Sequence, residues 1–168
     1  MNLPRIARGV AGGIAGALIA YWISQAFLPE EARIRRLLRG MERDFNRERA
    51  GACTDGLADD FREETAGLGK EEIRQILLQA ILSERDPETK SFRYRVRLAD
   101  DGIRIRMDPE GGKKAEATVR ARFDELRGEK RTLIWEVEID GLLEKGDEGW
   151  NVKRSRHRTI AGSPLRIR

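Results

Sequence analysis

The chain has 168 residues, 37% of them charged, with 33 Lys and Arg set against 29 Asp and Glu for a formal net charge of +4. Signs mixed this finely describe a solvated surface and argue against a nucleic-acid binder. One cysteine, Cys53, and one histidine, His157, exclude an intrachain disulfide, a cysteine-based zinc site and any site built on two imidazoles.

Gly9 to Pro29 (GVAGGIAGALIAYWISQAFLP) carries no charged residue. At ~1.5 Å per residue, about 20 helical residues cross the ~30 Å hydrocarbon core of a bilayer. The leading expectation is an uncleaved single-pass anchor over residues 1–29, with Tyr21 and Trp22 toward one interface. A cleaved signal peptide is the alternative: Arg5 and Arg8 form a basic start, Val10 to Ile23 the apolar run, and Ser24-Gln25-Ala26 a small-residue cleavage site. A buried domain helix would need more apolar cover than the rest of the chain offers. Gly9, Gly13 and Ala17, and beside them Gly12, Gly16 and Ala20, recur at four-residue steps. That spacing lets a second helix approach closely and implies a homodimer within the membrane, although plain Gly/Ala enrichment explains it equally well. Arg5 and Arg8 place the N-terminus in the cytoplasm and the domain on the periplasmic side of a bacterial inner membrane. Arg33, Arg35, Arg36, Arg39 and Arg43 after the span pull the other way.

After the break at Pro29, Ile34, Leu37, Leu38, Met41 and Phe45 form the apolar stripe of a helix over Glu31 to Arg49. Cys53, Leu57 and Phe61 step by four and predict a short second helix ending near Phe61. Gly67 to Gly69 reads as a loop. Lys70 to Ser83 is a third helix, with Ile73, Ile76, Leu77, Ala80 and Ile81 facing inward. The period then changes to two. Phe92, Tyr94, Val96 and Leu98 alternate with arginines, Asp101-Gly102 reads as a hairpin turn, and Ile103, Ile105 and Met107 resume the alternation. Ala117, Val119, Ala121 and Phe123 mark the next strand. Leu133, Trp135, Val137 and Ile139 mark a fourth, and Trp150 and Val152 open a fifth. The expected fold is α+β: three helices packed on a curved antiparallel sheet, a cone-shaped roll over residues 30–161, with a flexible basic tail at 162–168.

Three helices followed by long antiparallel strands, the approach Asp60-Phe61-Arg62 to Gly69-Lys70-Glu71-Glu72-Ile73, and the closing Gly149-Trp150-Asn151-Val152 resemble the nuclear transport factor 2-like superfamily. These are cystatin-like rolls that include the SnoaL-like proteins and ketosteroid isomerases. The resemblance covers about Glu31 to Ile160 and implies a cone whose inner wall holds the acid and base in the enzymes. The layout is also similar to an assembly factor of type IV secretion that carries this fold behind one membrane helix.

The inward positions of the four well-phased strands are all apolar or aromatic, so that acid and base find no counterpart. Phe92, Tyr94, Val119, Phe123, Trp135 and Trp150 are the candidate lining of an apolar ligand pocket. Asp55, Asp59, Asp60, Glu63 and Glu64 cluster near the second helix as a cation or base site, or as a solvated helix end. His157 lies among Lys153, Arg154, Arg156 and Arg158 and reads as an exposed surface residue. The basic run from Lys153 to Arg168 is a flexible tail or a contact for lipid head groups or an acidic partner. No catalytic residue, metal ligand or cofactor is assigned. The expectation is a membrane-tethered, non-catalytic domain for protein–protein contact, self-association or binding of a small apolar ligand. One alternative is a SnoaL-like or isomerase-type enzyme using Tyr94 with Asp59 or Asp60. Another is a scaffold of an envelope secretion machine with an envelope protein partner.

Overall fold

The computed structural model describes residues 29–109 and 112–164. The span Gly9–Leu28, with its small-residue face, therefore lies outside the described residues. Among those that are described, no helix is long and apolar enough to cross a membrane. The elements run α1 (Glu30–Asn46), α2 (Ala50–Thr54), β1 (Leu57–Glu63), β2 (Leu68–Gly69), α3 (Lys70–Ser83), β3 (Tyr94–Met107), β4 (Lys114–Arg127), β5 (Lys130–Gly146) and β6 (Gly149–Gly162).

The strands form one six-stranded sheet in the order β2-β1-β6-β5-β4-β3. Four neighbouring pairs are antiparallel, but β1 runs parallel to β6. This corrects the purely antiparallel meander. It also corrects the second helix, because α2 ends at Thr54 and Leu57 and Phe61 are buried residues of β1. A spacing of four fits both periods: it is one turn of helix and two steps along one strand face. The Glu63 side chain continues the strand phase, and it is buried too.

Among the irregularities in the sheet's pairing, three bulges set the facing of the side chains discussed below. Leu98 pairs with Ala121 and Ile103 with Val119, so the four residues Ala99–Gly102 stand opposite Arg120 alone. The expected Asp101-Gly102 turn is thus a wide bulge inside one continuous strand. It is needed because Leu98 and Ile103 are five apart and would otherwise face opposite sides. Gly102 suits the crowding there, since a Cβ would sit 2.9 Å from that of Ala99 and 3.0 Å from that of Arg120. A second bulge at Ile134 turns Leu133 away from the core, leaving it 44% exposed and correcting its inward assignment. A third at Lys153 shifts the phase of β6. After inward Trp150 and Val152, an unbroken strand would bury Arg154, Arg156 and Arg158. The bulge sends those arginines outward and turns Ser155, His157 and Thr159 in.

The helices cover the inner face in two apolar clusters. One joins Phe45 of α1 and Ala80 and Ile81 of α3 to Phe92, Tyr94, Val96, Ala121 and Val137. The other joins Ile34 to Leu57, Phe61, Ala115, Ala117, Leu143, Trp150 and Val152. Fully burying each large side chain contributes about 1.5–3 kcal/mol.

Strand β3 is the sheet's outer edge, and α1 seals its first half with side chains. Asn46 donates from Nδ2 to the Val96 carbonyl and accepts from the Val96 N–H, both at 2.8 Å. The Leu98 N–H donates to Glu42 at 3.1 Å, and Arg39 donates to the Leu98 carbonyl at 2.8 Å. An edge left bare would template pairing with another chain. At the far end of β6, Gly162 has φ +73°, and a Cβ there would lie 2.0 Å from the Ile134 carbonyl oxygen. Only glycine lets β6 close on the Ile134 bulge.

The outer face carries the arginines, held by carboxylates of neighbouring strands. Arg120 and Arg122 donate to Glu136 at 2.7 and 3.0 Å, and Arg97 to Asp124 at 3.1 Å. The hydrogen bonds from Arg122 first, and then Arg120, outweigh the effect of burial and hold the Glu136 carboxyl below its ordinary pKa. The basic run is likewise ordered through Arg158. Arg154, Arg156 and Arg158 pair with Glu64, Asp140 and Glu138, and Lys153 pairs with Asp60. Up to that point it is strand, which corrects the reading of the run as a flexible tail.

Candidate functional site: an apolar chamber with a polar rim

Between the three helices and the inner sheet face lies a chamber of about 280 Å³. Leu38, Met41 and Phe45 of α1, Ile73 and Leu77 of α3, Leu57 and Phe61 of β1, and Ala117, Val119, Ala121, Phe123 and Ile139 of the central strands supply its apolar wall. Two features leave the space open. Ala117 and Ala121 are small where the central strand faces the helices, and Gly141 sits beside them on β5.

The polar groups on the wall are Glu42, Cys53, Thr54 and Ser155. Glu42 is committed to Leu98 and Arg39. Thr54 donates within α2 to the carbonyls of Ala50 and Gly51. Burial first, and then the charge of Asp44, push the Cys53 thiol up to about 12, so it stays protonated and unreactive.

Of the six expected pocket residues, Val119 and Phe123 line the chamber. Phe92 and Tyr94 pack edge-to-face at 5.4 Å inside the first cluster, so Tyr94 serves as core. Trp150 belongs to the second cluster and donates from Nε1 to Glu30 at 2.6 Å, beside Lys145, which reaches the same carboxylate at 2.9 Å. These two bonds clip the β5–β6 hairpin to the first residue of α1. On its other side Trp150 borders a wider, shallower groove of about 880 Å³ among Arg33, Arg36, Asp44 and Asp55. Trp135 stacks on Phe123 at 5.0 Å and stands outside the chamber wall.

The acidic cluster does not assemble. Asp59 pairs with Lys70, Asp60 with Lys153, and Glu64 with Arg154. Glu63 alone turns inward, where it meets His157: Nδ1 lies 2.9 Å from Glu63 Oε1. Burial pulls the Glu63 pKa up. The Ala66 N–H at 2.6 Å, the Thr65 hydroxyl and His157 outweigh it and keep the carboxyl below its ordinary value. Trp135 meets the imidazole edge-on at 5.7 Å. His157 is therefore a fixed inner-face residue with a quarter of its side chain exposed, not a free surface histidine. The clue in the sequence was the unfavourable burial of Arg154, Arg156 and Arg158 that an unbroken β6 would impose. Among the described residues, no group of three His, Cys, Asp or Glu could hold a metal ion.

Solved structures share this architecture. A protein of unknown function from Mycobacterium tuberculosis superposes with a TM-score of 0.62 at 17% identity, covering 82% of this chain and 77% of its own. A nuclear transport factor 2-like protein with a cystatin-like fold from Novosphingobium aromaticivorans gives 0.61 at 13% identity, covering 87% and 90%. The roll is a cystatin-like fold. A ketosteroid isomerase-like protein from Erwinia carotovora atroseptica gives 0.52 at 18% identity, covering 80% and 99%. No family profile matches the sequence, and no curated protein matches it either. At these identities the likeness extends to the fold, and a cystatin-like roll hosts many activities.

Proposed function

We propose that this chain is a membrane-tethered, non-catalytic binding domain that holds a small apolar ligand in its chamber. The observation that carries this reading is the apolar space between helices and sheet, close to the ~300 Å³ lower end of small-molecule sites. By the ~24 cal/mol per Å³ seen for core cavities, a dry void of this size would forgo on the order of 7 kcal/mol. That is an upper bound for a space open to solvent, but it is comparable to a domain's whole net stability of about 5–15 kcal/mol. Ala117 and Ala121 keep the space open at a fraction of that cost, part of which a ligand would recover. The expected result is that the chain, purified from its own host and analysed by mass spectrometry, releases a stoichiometric small apolar compound. Repeated recovery without any such compound would count against the reading.

The tether is residues 1–29, with Gly9, Gly12, Gly13, Gly16, Ala17 and Ala20 as the face on which two copies pair. The domain then stands outside the cytoplasm. An alkaline phosphatase fused after Arg168 is expected to be active. A membrane-bound but inactive fusion would place the domain in the cytoplasm instead.

A second reading, an isomerase-type enzyme, draws support from one observation, the Glu63–His157 pair. Its other players are engaged elsewhere: Tyr94 is core, and Asp59 and Asp60 are paired with lysines. What is left is a base with Ser155 nearby as the sole uncommitted hydroxyl on the wall. That is a thin arrangement for stabilising the charge that proton abstraction creates.

A further inference from the structure

The apolar chamber and the wide groove beside Trp150 share a wall. The groove is bordered by α1, the turn that follows α2 and the β5–β6 hairpin. The chamber lies between the helices and the sheet. Leu37, Ala52 and Gly56 border the groove, while Leu38, Cys53 and Leu57, each one residue further on, line the chamber. Among the described residues, Met41 alone borders both spaces. On the groove side it is joined by the apolar surfaces of Leu37 and Trp150, inside a rim that carries charges of both signs, Arg33 and Arg36 against Asp44 and Asp55.

Gly56 is buried and adds no side chain to this wall. A Cβ there would lie 2.9 Å from Leu37 Cδ1 and 3.1 Å from Met41 Sδ, so the tips of those two side chains fill the place instead. The main chain on both sides is held. The Gly56 carbonyl accepts the Val152 N–H at 2.9 Å, and the Met41 carbonyl accepts the Cys53 thiol at 3.5 Å. What can move is the Met41 side chain, which is half-buried, apolar and unbranched. Its three rotatable bonds let it change shape, where a β-branched residue in a helix keeps one rotamer.

We propose that the groove is the entrance to the chamber and that Met41 is its gate, so that a small apolar ligand passes inward when the Met41 side chain changes rotamer. The proposal rests on the ligand-binding reading above and adds to it the route of entry and the residue that sets the rate of exchange. The groove gives an apolar molecule a first surface to leave water on, at Leu37 and Trp150, before it reaches the partition. The hydrogen-bonded main chain limits the opening to what one side chain vacates. A gate of this kind differs from an ordinary wall residue in what it controls. A wall residue alters affinity through contact with the bound ligand, whereas a gate alters entry and release together and leaves their ratio in place.

Release is the quantity to measure, because its rate does not depend on how much free probe the detergent takes up. The probe is α-methylnaphthalene, bound to the full chain in detergent micelles. Its release is followed by exchange NMR of the methyl groups of Ala117 and Ala121 on the chamber wall. Met41→Ala is expected to speed release about tenfold beyond any loss of affinity. Met41→Ile, of similar volume but stiff at χ1, is expected to slow release about tenfold while affinity stays within about threefold. Release from Met41→Ile within about twofold of wild type overturns the gate and leaves the chamber standing. So does a Met41→Ala variant whose release quickens only in proportion to lost affinity. Failure of the probe to bind the wild-type chain overturns the ligand-binding reading and the gate with it. Methyl-labelled methionine decides the matter even if neither variant folds, since the chain has only three methionines to assign. In the wild type the Met41 methyl is expected to exchange between rotamers at least as fast as the probe leaves, and a single fixed rotamer overturns the gate.

Discussion

Asn46→Leu is expected to destabilise the domain by about 3 kcal/mol, far more than the loss of a half-exposed polar side chain would ordinarily cost. The Asn46 amide is the hydrogen-bonding partner of both backbone groups of Val96, at 2.8 Å each. Val96 is buried, so leucine would strand an N–H and a carbonyl where water does not reach. Each stranded group costs about 1–3 kcal/mol. For a domain of this size the melting temperature should fall by roughly 10 °C. Asn46→Asp should lie between, because a carboxylate still accepts from the Val96 N–H but cannot donate to its carbonyl. The measurement is thermal unfolding followed by circular dichroism. If Asn46→Leu lies within about 1 kcal/mol of wild type, the sheet edge is not sealed by this amide.

Ala121→Leu is expected to leave stability within about 1 kcal/mol of wild type and to lower the affinity for a small apolar probe, α-methylnaphthalene, at least tenfold. Ala121 is 1% exposed, and a leucine inserted at such a site in a filled core costs about 1–3 kcal/mol through forced rotamers and backbone shifts. Here the side chain points into the chamber, so the added carbons have space to occupy and apolar neighbours to touch. The same atoms take the room that a ligand needs. Calorimetric unfolding and probe titration read the two effects separately. A loss of more than about 2 kcal/mol would mean that the space is closed in solution. Retained affinity in a stable variant would mean that the probe binds elsewhere.

These two substitutions bear on different halves of the fold, and the sequence reveals them unequally. Ala121 and Ala117 are visibly small inward residues on a strand of clear alternation. Their meaning depends on what lies opposite, and the alternation is silent about that. Asn46 sits on the polar side of the α1 stripe, where nothing in the local pattern distinguishes it from a solvated helix residue. Its role appears only when α1 crosses the edge of β3, 50 residues away in the chain.

The same division explains the misplaced elements. The α3 boundaries, Lys70 to Ser83, were legible because an apolar stripe, an acidic first turn and the Asp86-Pro87 stop agree. Leu57 and Phe61 were not, because their spacing fits helix and strand alike. The choice between them was made by pairing with β6. Asp101-Gly102 carries turn chemistry that a wide bulge uses as readily as a hairpin. Two of the three bulges left a trace as breaks in apolar phase, at Leu98 to Ile103 and at Val152 to Arg154. The bulge at Ile134 left none, since Leu133 and Trp135 alternate without interruption.

Composition and periodicity by themselves determined an α+β roll with an apolar inner face and a charged outer one. Those properties are local and repeat with the pitch of a helix or a strand. They also exclude two-imidazole and cysteine-based metal chemistry, because the residues are absent. Only the tertiary structure decided that β1 returns parallel beside β6, that helices and sheet wall a chamber, and that Glu63 meets His157. Those facts depend on register between strands far apart in sequence, and a one-residue bulge is enough to turn a side chain from solvent to core.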